Sequence, residues 1–169
     1  MKASTFTLSE AHALQCELAR EVLLSSGVLR LAVTGWSMLP TLWPGDTLLV
    51  ERCESRAVTE GDIVLFARDR RFLVHRVIGR SVGDAVQTRG DAMPQADPLV
   101  ASSDLLGKII SVVRNGRRLE PSRKLPAGQR AVAAVVQKSE LAARALVAVH
   151  EMLQGSDETS SDRVIPCQN

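Results

Sequence analysis

The most informative stretch of the chain is TGWSMLPTLWPGD, residues 34–46. It follows the apolar, β-branched run Leu29–Thr34 and is broken by Pro40. A strand that ends at a glycine and breaks at a proline can hold a serine hydroxyl at a sheet edge, with backbone N–H groups nearby to receive an oxyanion. Ser37 is therefore a candidate nucleophile. The alternative is a serine that merely occupies a turn.

On either side of this stretch the chain shows the pattern of a β protein. Short β-branched runs are separated by Gly-Asp pairs, which is typical of strands joined by tight turns. The predicted strands are Leu29–Thr34, Thr47–Glu51, Asp62–Ala67, Phe72–Gly79, Ala85–Arg89 and Leu106–Arg114. The last one turns at Asn115-Gly116, because both residues tolerate positive φ. The sequence therefore predicts a mainly β core of antiparallel strands.

A helix is predicted on each side of this core. Residues 7–26 carry apolar side chains at helical spacing behind a capping box. Residues 121–128 are typical of a linker, and Gln129–Leu153 is alanine-rich and amphipathic. The Ser/Asp-rich remainder is predicted to be disordered. The expected organisation is a helical segment over 1–28, a catalytic β domain over 29–120, a linker and helix over 121–153, and a tail over 154–169.

Composition limits the function classes. The chain has 169 residues, enough for one core, and a net charge of only +2, which argues against a nucleic-acid binder. Three widely spaced cysteines suggest neither a disulfide framework nor a zinc site, and no cofactor is implied. We see no cleavable export signal, and charged residues interrupt the longest apolar segment, Ala131–Leu153. The expected location is cytoplasmic or peripherally membrane-associated.

A nucleophilic serine needs a base, and His75 is the best candidate among the three histidines. It lies in the predicted strand Phe72–Gly79, where alternation places it on the same face as Leu73 and Val77. Burial among such residues disfavours imidazolium and leaves a neutral base that can accept a proton. The alternative is a core histidine that donates to a backbone carbonyl. His12 and His150 fall in predicted helices, beside polar neighbours.

Three segments together resemble the signal peptidase I family. Residues 34–46 resemble its nucleophile box. Residues 61–64 and 74–78, GDIV and VHRVI, resemble the second box of the endoplasmic-reticulum, archaeal and sporulation types, which use a Ser–His pair. Residues 88–98, TRGDAMPQADP, are similar to the third box. The resemblance implies a signal-peptidase/LexA-like core of coiled antiparallel β-sheets flanked by N- and C-terminal α-helices.

The resemblance also implies roles for individual residues. Ser37 would be the nucleophile and His75 its general base. Asp97 matches the family's catalytic acid by spacing, and a carboxylate there would orient the imidazole and stabilise imidazolium. Asp91 follows Gly90 in a predicted turn, where an aspartate commonly binds local backbone N–H groups. Asp91 remains the alternative partner of the histidine.

Three neighbours of Ser37 complete the predicted site. Met38 would lie beside the scissile bond and Trp36 would narrow the substrate groove, although both could simply pack in the core. Gly35 stands where some family members place a serine that helps to bind the oxyanion. Backbone N–H groups must then contribute more of that stabilisation.

The expected function is a serine endopeptidase that removes leader or signal peptides after small residues. Its partner would be a precursor protein or peptide, and the terminal helices could dock on a membrane surface or a partner protein. Typical relatives carry a transmembrane anchor, and none is predicted here. One alternative is an inert peptide-binding module of the same fold. Another is a LexA-like self-cleaving regulator, although that group uses a lysine base and no DNA-binding segment is evident before residue 29.

Overall fold

The computed structural model of the protein describes residues 8–138, 146–148 and 165–167. The longer helices are α1 (Leu8–Ser26) and α2 (Ala127–Lys138). The strands are β1 (Val28–Val33), β2 (Thr47–Arg52), β3 (Ile63–Arg68), β4 (Arg71–Arg80), β5 (Val86–Arg89), β6 (Leu105–Arg114), β7 (Arg117–Leu119) and β8 (Ile165–Cys167). Residues 146–148 are helical. None of the helices in the described part of the chain is both long enough and apolar enough to cross a membrane.

Within the described residues, eight strands form one sheet. The order across it is β5-β4-β3-β6-β2-β1-β8, with β7 paired to β6 through the Asn115-Gly116 turn. Asn115 and Gly116 have φ values of 50° and 71°, as the predicted hairpin turn requires. All the pairings are antiparallel except that of β8 with β1, which is parallel. The predicted mainly β fold with flanking helices is confirmed.

The sheet is coiled, so that β3 is covered on both faces. Ile63 and Leu65 enter one apolar cluster, together with residues of α1, β1, β2 and β6. Val64 and Phe66, which alternate with them, enter a second cluster with residues of β4, β5 and the Val100 region. All four side chains are at most 2% exposed. Side chains that alternate along one strand thus build two separate cores.

Irregular pairings help the sheet to coil. The register shifts between Leu49 and Val50 in β2, between Leu65 and Phe66 in β3, and between Val77 and Gly79 in β4. Bulges of this kind bend a strand and increase its twist. As a result, the loop that follows β1 lies against β4, although three other strands separate β1 from β4 in the sheet order.

The ends of the elements differ slightly from the predicted ones. Strand ends differ by at most one residue, and α2 begins at Ala127, inside the predicted linker. The predicted helix over 129–153 is observed at 129–138 and 146–148, and its remainder lies outside the described residues. The disordered tail over 154–169 stays a prediction; within it the structure describes Ile165–Cys167, which pair with the outer edge of β1. The other tail residues lie outside the described part.

Candidate active site

Ser37 lies in a compact turn directly after β1. The Leu39 N–H donates to the Trp36 carbonyl at 3.0 Å, and the Thr41 N–H donates to the Met38 carbonyl at 2.8 Å. The Ala92 N–H donates to the carbonyl of Ser37 itself at 2.8 Å, so the third sequence box fixes the backbone of the first. Ser37 is only 8% exposed.

His75 projects from the middle of β4 toward this turn. Its Nε2 lies 3.0 Å from Ser37 Oγ, within hydrogen-bonding distance. The imidazole is buried and packs in an edge-to-face arrangement with the Phe66 ring, with the centroids 5.9 Å apart. Val77 and Leu73, on the same face of β4, belong to the cluster that contains Phe66. The structure thus brings the predicted nucleophile and the predicted base together.

Asp97 completes a chain of hydrogen bonds behind the histidine. Its Oδ2 lies 2.7 Å from His75 Nδ1 and accepts a hydrogen bond from Thr88 Oγ1 at 2.7 Å. Burial by itself raises the pKa of Asp97. The hydrogen bonds from His75 and Thr88, with the charges of His75 and Arg68, outweigh that effect, and the net result is a lowered pKa. Asp97 is therefore ionised at neutral pH and favours the tautomer of His75 that carries its proton on Nδ1.

Asp91 has a different partner. Its carboxylate accepts two hydrogen bonds of 2.8 Å from the Arg76 guanidinium and one from the Thr41 hydroxyl. Arg76 also donates to the backbone carbonyls of Gly61 and Ser122. Asp91 was expected to bind local backbone N–H groups; in the structure each of its oxygens accepts a hydrogen bond from the buried Arg76 guanidinium on β4. This pair ties β4 to the loops of the first and third boxes.

Sequence reasoning missed Arg76, although a signal for it was present. It follows His75 in the apolar run VHRVI, so alternation sends the two side chains to opposite faces of β4. An arginine in such a run needs an acidic partner if it is buried. Arg76 is 7% exposed and Asp91 8% exposed. The two acids of the third box thus bind two neighbouring residues of β4. Asp97 binds His75, and Asp91 binds Arg76.

Gly90 allows the closest approach in the site. A Cβ added at Gly90 would lie 2.6 Å from the Ser37 carbonyl oxygen, 2.7 Å from Met93 Cγ and 3.2 Å from His75 Nε2. No larger residue fits there without moving Ser37 or its neighbours. The glycine of the third box therefore lets the backbone pass directly beside the serine and the histidine.

The remaining predicted residues surround the serine turn. Met38 is 2% exposed and lies in the larger apolar cluster. Of the two roles expected for Met38, this position fits packing in the core. Trp36 is half-buried and packs against a small cluster of Leu39, Ala92 and Val136. Gly35 is buried just before it. Because Val136 belongs to α2, the C-terminal helix covers one side of the serine turn.

A cavity lies apart from this site. It has a volume of about 410 Å³ and opens between α1 and the segment that follows β2, lined by Arg20, Leu23, Cys53 and Leu106 among others. It contains neither Ser37 nor His75. In the described ranges, no group of three or more His, Cys, Asp or Glu side chains is arranged to hold a metal ion.

Comparison with protein-family models places the site in a matched region. A family model described as "Signal peptidase, peptidase S26" matches residues 16–103, just over half of the chain. The matched region contains Ser37, His75 and Asp97, and it ends just before β6. No curated protein matches the chain.

Proposed function

The chain belongs to the signal peptidase family, peptidase S26, and from this premise we propose that it is a serine endopeptidase with Ser37 as nucleophile and His75 as general base. The observation that carries the proposal is the continuous hydrogen-bonded series from Ser37 Oγ through His75 to Asp97, at 3.0 and 2.7 Å. A serine, a histidine and a carboxylate in this geometry are the parts needed for acyl transfer.

In the proposed reaction, Ser37 Oγ attacks the carbonyl carbon of the scissile peptide bond. His75 Nε2 takes the hydroxyl proton, and the ionised Asp97 stabilises the imidazolium that forms. With glycine at position 35, the backbone N–H groups of the serine turn stabilise the oxyanion. His75 then gives the proton to the leaving amine, and the acyl group stays on Ser37. A water molecule, deprotonated by His75, releases the acyl group in the second half of the reaction.

The proposed substrate is the leader or signal peptide of a precursor protein or peptide, cut after small residues. This preference follows from the family resemblance. It is supported by the enclosure of the nucleophile, since Ser37 is 8% exposed and Trp36 packs next to it. A small side chain before the cut lets the carbonyl carbon approach a hydroxyl that is so enclosed.

The test compares Ser37→Ala and His75→Ala with the unmodified chain, and Ser81→Ala is the matched control. Ser81 is exposed and its side chain caps no helix. We expect both site variants to lose cleavage of a peptide that carries a signal-peptidase cleavage sequence, and to lose labelling by a fluorophosphonate probe, while their melting temperatures stay within a few degrees of the control. Full activity of either site variant would refute the assignment.

The same experiment separates the two alternatives. An inert peptide-binding module would show no labelling of Ser37 in the unmodified chain. A self-cleaving regulator of the LexA type would cut itself during incubation, and mass spectrometry of the purified chain would detect the fragments. The base of the proposed site is a histidine, whereas that type uses a lysine.

A further inference from the structure

The outer edge of β1 is occupied by a segment of the same chain. Strand β8, Ile165–Cys167, pairs in parallel with β1, in the register Leu31 with Ile165, Ala32 with Pro166 and Val33 with Cys167. It also contacts β4, the strand that carries His75. The tail strand thus contacts both β1, which leads into the Ser37 turn, and β4, which carries His75.

The direction of β8 matters, because β1 leads toward the nucleophile. Ser37 lies four residues beyond the last residue of β1, Val33, at most about 13 Å away at the rise of an extended chain. A peptide that pairs in parallel with β1 therefore runs with its C-terminal end toward Ser37. A substrate on this edge would place the residues before its scissile bond where β8 lies.

We propose that Ile165–Cys167 occupies the strand position of a substrate peptide, so that the tail competes with substrates within the same molecule. This inference rests on the proposed peptidase function. Strand addition at a sheet edge draws its affinity from backbone hydrogen bonds, which do not depend on one particular sequence. The tail and an unrelated precursor can therefore use the same edge.

The pairing is weak enough for a substrate to displace it. Strand β8 has only three residues, which limits the number of backbone hydrogen bonds that it can make with β1. The tail nevertheless competes well, because its attachment to the same molecule gives it an effective concentration of about 1 mM or more. For a segment with a dissociation constant of about 0.1–1 mM, this raises the apparent KM about two- to ten-fold.

The test removes the pairing within the full-length chain. In the variant Ile165→Pro/Cys167→Pro, the strand loses the backbone donors at positions 165 and 167. The control, Ser160→Pro/Ser161→Pro, makes the same chemical change in the tail outside β8. We expect the first variant to lower KM for a peptide substrate about two- to ten-fold with kcat unchanged, and the control to change neither. Equal KM values for the two variants would overturn the proposal.

A binding measurement separates failure of this proposal from failure of the peptidase function. A fluorescent peptide of residues 160–169 is titrated, under reducing conditions, into the Ile165→Pro/Cys167→Pro chain that also carries Ser37→Ala. Saturable binding, reversed by unlabelled substrate peptide, supports occupation of the edge even if no variant shows turnover. Absence of binding up to several millimolar refutes the tail as competitor, whether or not the unmodified chain cleaves peptides.

Discussion

Replacing Gly90 with alanine tests whether the position of Ser37 beside His75 controls activity. The added methyl group would meet the Ser37 carbonyl oxygen at 2.6 Å, Met93 Cγ at 2.7 Å and His75 Nε2 at 3.2 Å. Gly90 does not have a positive φ, so its backbone conformation is open to alanine. The conflict is therefore one of space alone, and it acts directly on the serine and the histidine.

The size of the effect follows from these distances. Ordinary contact with a Cβ begins at 3.4 Å, so the Ser37 carbonyl oxygen must move away by about 0.8 Å. The side-chain hydroxyl of the same residue moves with it. A misplacement of about 1 Å at a reacting group can reduce the rate about 10²-fold. The crowding should also lower the free energy of unfolding by about 1–3 kcal/mol.

The assay is the rate at which a fluorophosphonate probe acylates Ser37, followed by mass spectrometry at a temperature where the variant is folded. Gly79→Ala is the matched control, because Gly79 lies on the same strand as His75 and an added Cβ there meets no atom within 4 Å. We expect a loss of about 10²-fold for Gly90→Ala and little change for the control. A folded Gly90→Ala protein that is acylated at the unmodified rate would refute this reasoning.

Three further predictions concern the two acids. Asp97→Asn should slow acylation by up to roughly 10⁴-fold, because the wrong tautomer of His75 is then favoured; an unchanged rate would contradict the role of Asp97. Asp91→Ala should lower the free energy of unfolding in urea by about 3–5 kcal/mol, because it leaves the buried Arg76 charge without its partner; a loss below about 1 kcal/mol would contradict the pairing. Folding lowers the pKa of Asp97, so the ionised carboxylate stabilises the folded state. This stabilisation is complete above the pKa of the unfolded chain, about 3.9. It is lost as the pH falls through the lower pKa of the folded chain. The stability advantage of the unmodified chain over Asp97→Asn should therefore shrink below about pH 4 in thermal melts, and a constant difference would argue against the lowered pKa.

Much of the fold could be predicted because its signals are local. The β-branched runs and Gly-Asp turns located six of the strands to within one residue at each end, and the Asn115-Gly116 hairpin followed from the turn requirement. The strand order could not be predicted in this way. Strand β6 lies between β2 and β3 through contacts that are distant in sequence, and no local pattern encodes them. Strand β8 has only three residues in a polar tail, and it forms because β1 offers an edge.

The candidate site could be predicted where residue type and order within a sequence box were sufficient. Ser37 and His75 stood out as a serine at a broken strand and a histidine in an apolar one, and the structure brings them together. The separate partners of Asp97 and Asp91 were harder to foresee. That assignment depends on which face of β4 each neighbour occupies. The constraint at Gly90 was missed, because it arises from two loops that approach each other only in three dimensions.

The placement of β6 has a consequence for the newly made chain. Ser37 and His75 belong to opposite halves of the sheet, β1–β2 and β3–β4, and β6 connects the two halves although it comes after both in sequence. A ribosome-bound fragment that stops short of Leu105 already contains Ser37, His75 and Asp97, yet it lacks the strand that joins its two halves into one sheet. We therefore expect the proposed Ser–His pair to be held in its final geometry only once β6 has been synthesised and has paired with β2 and β3.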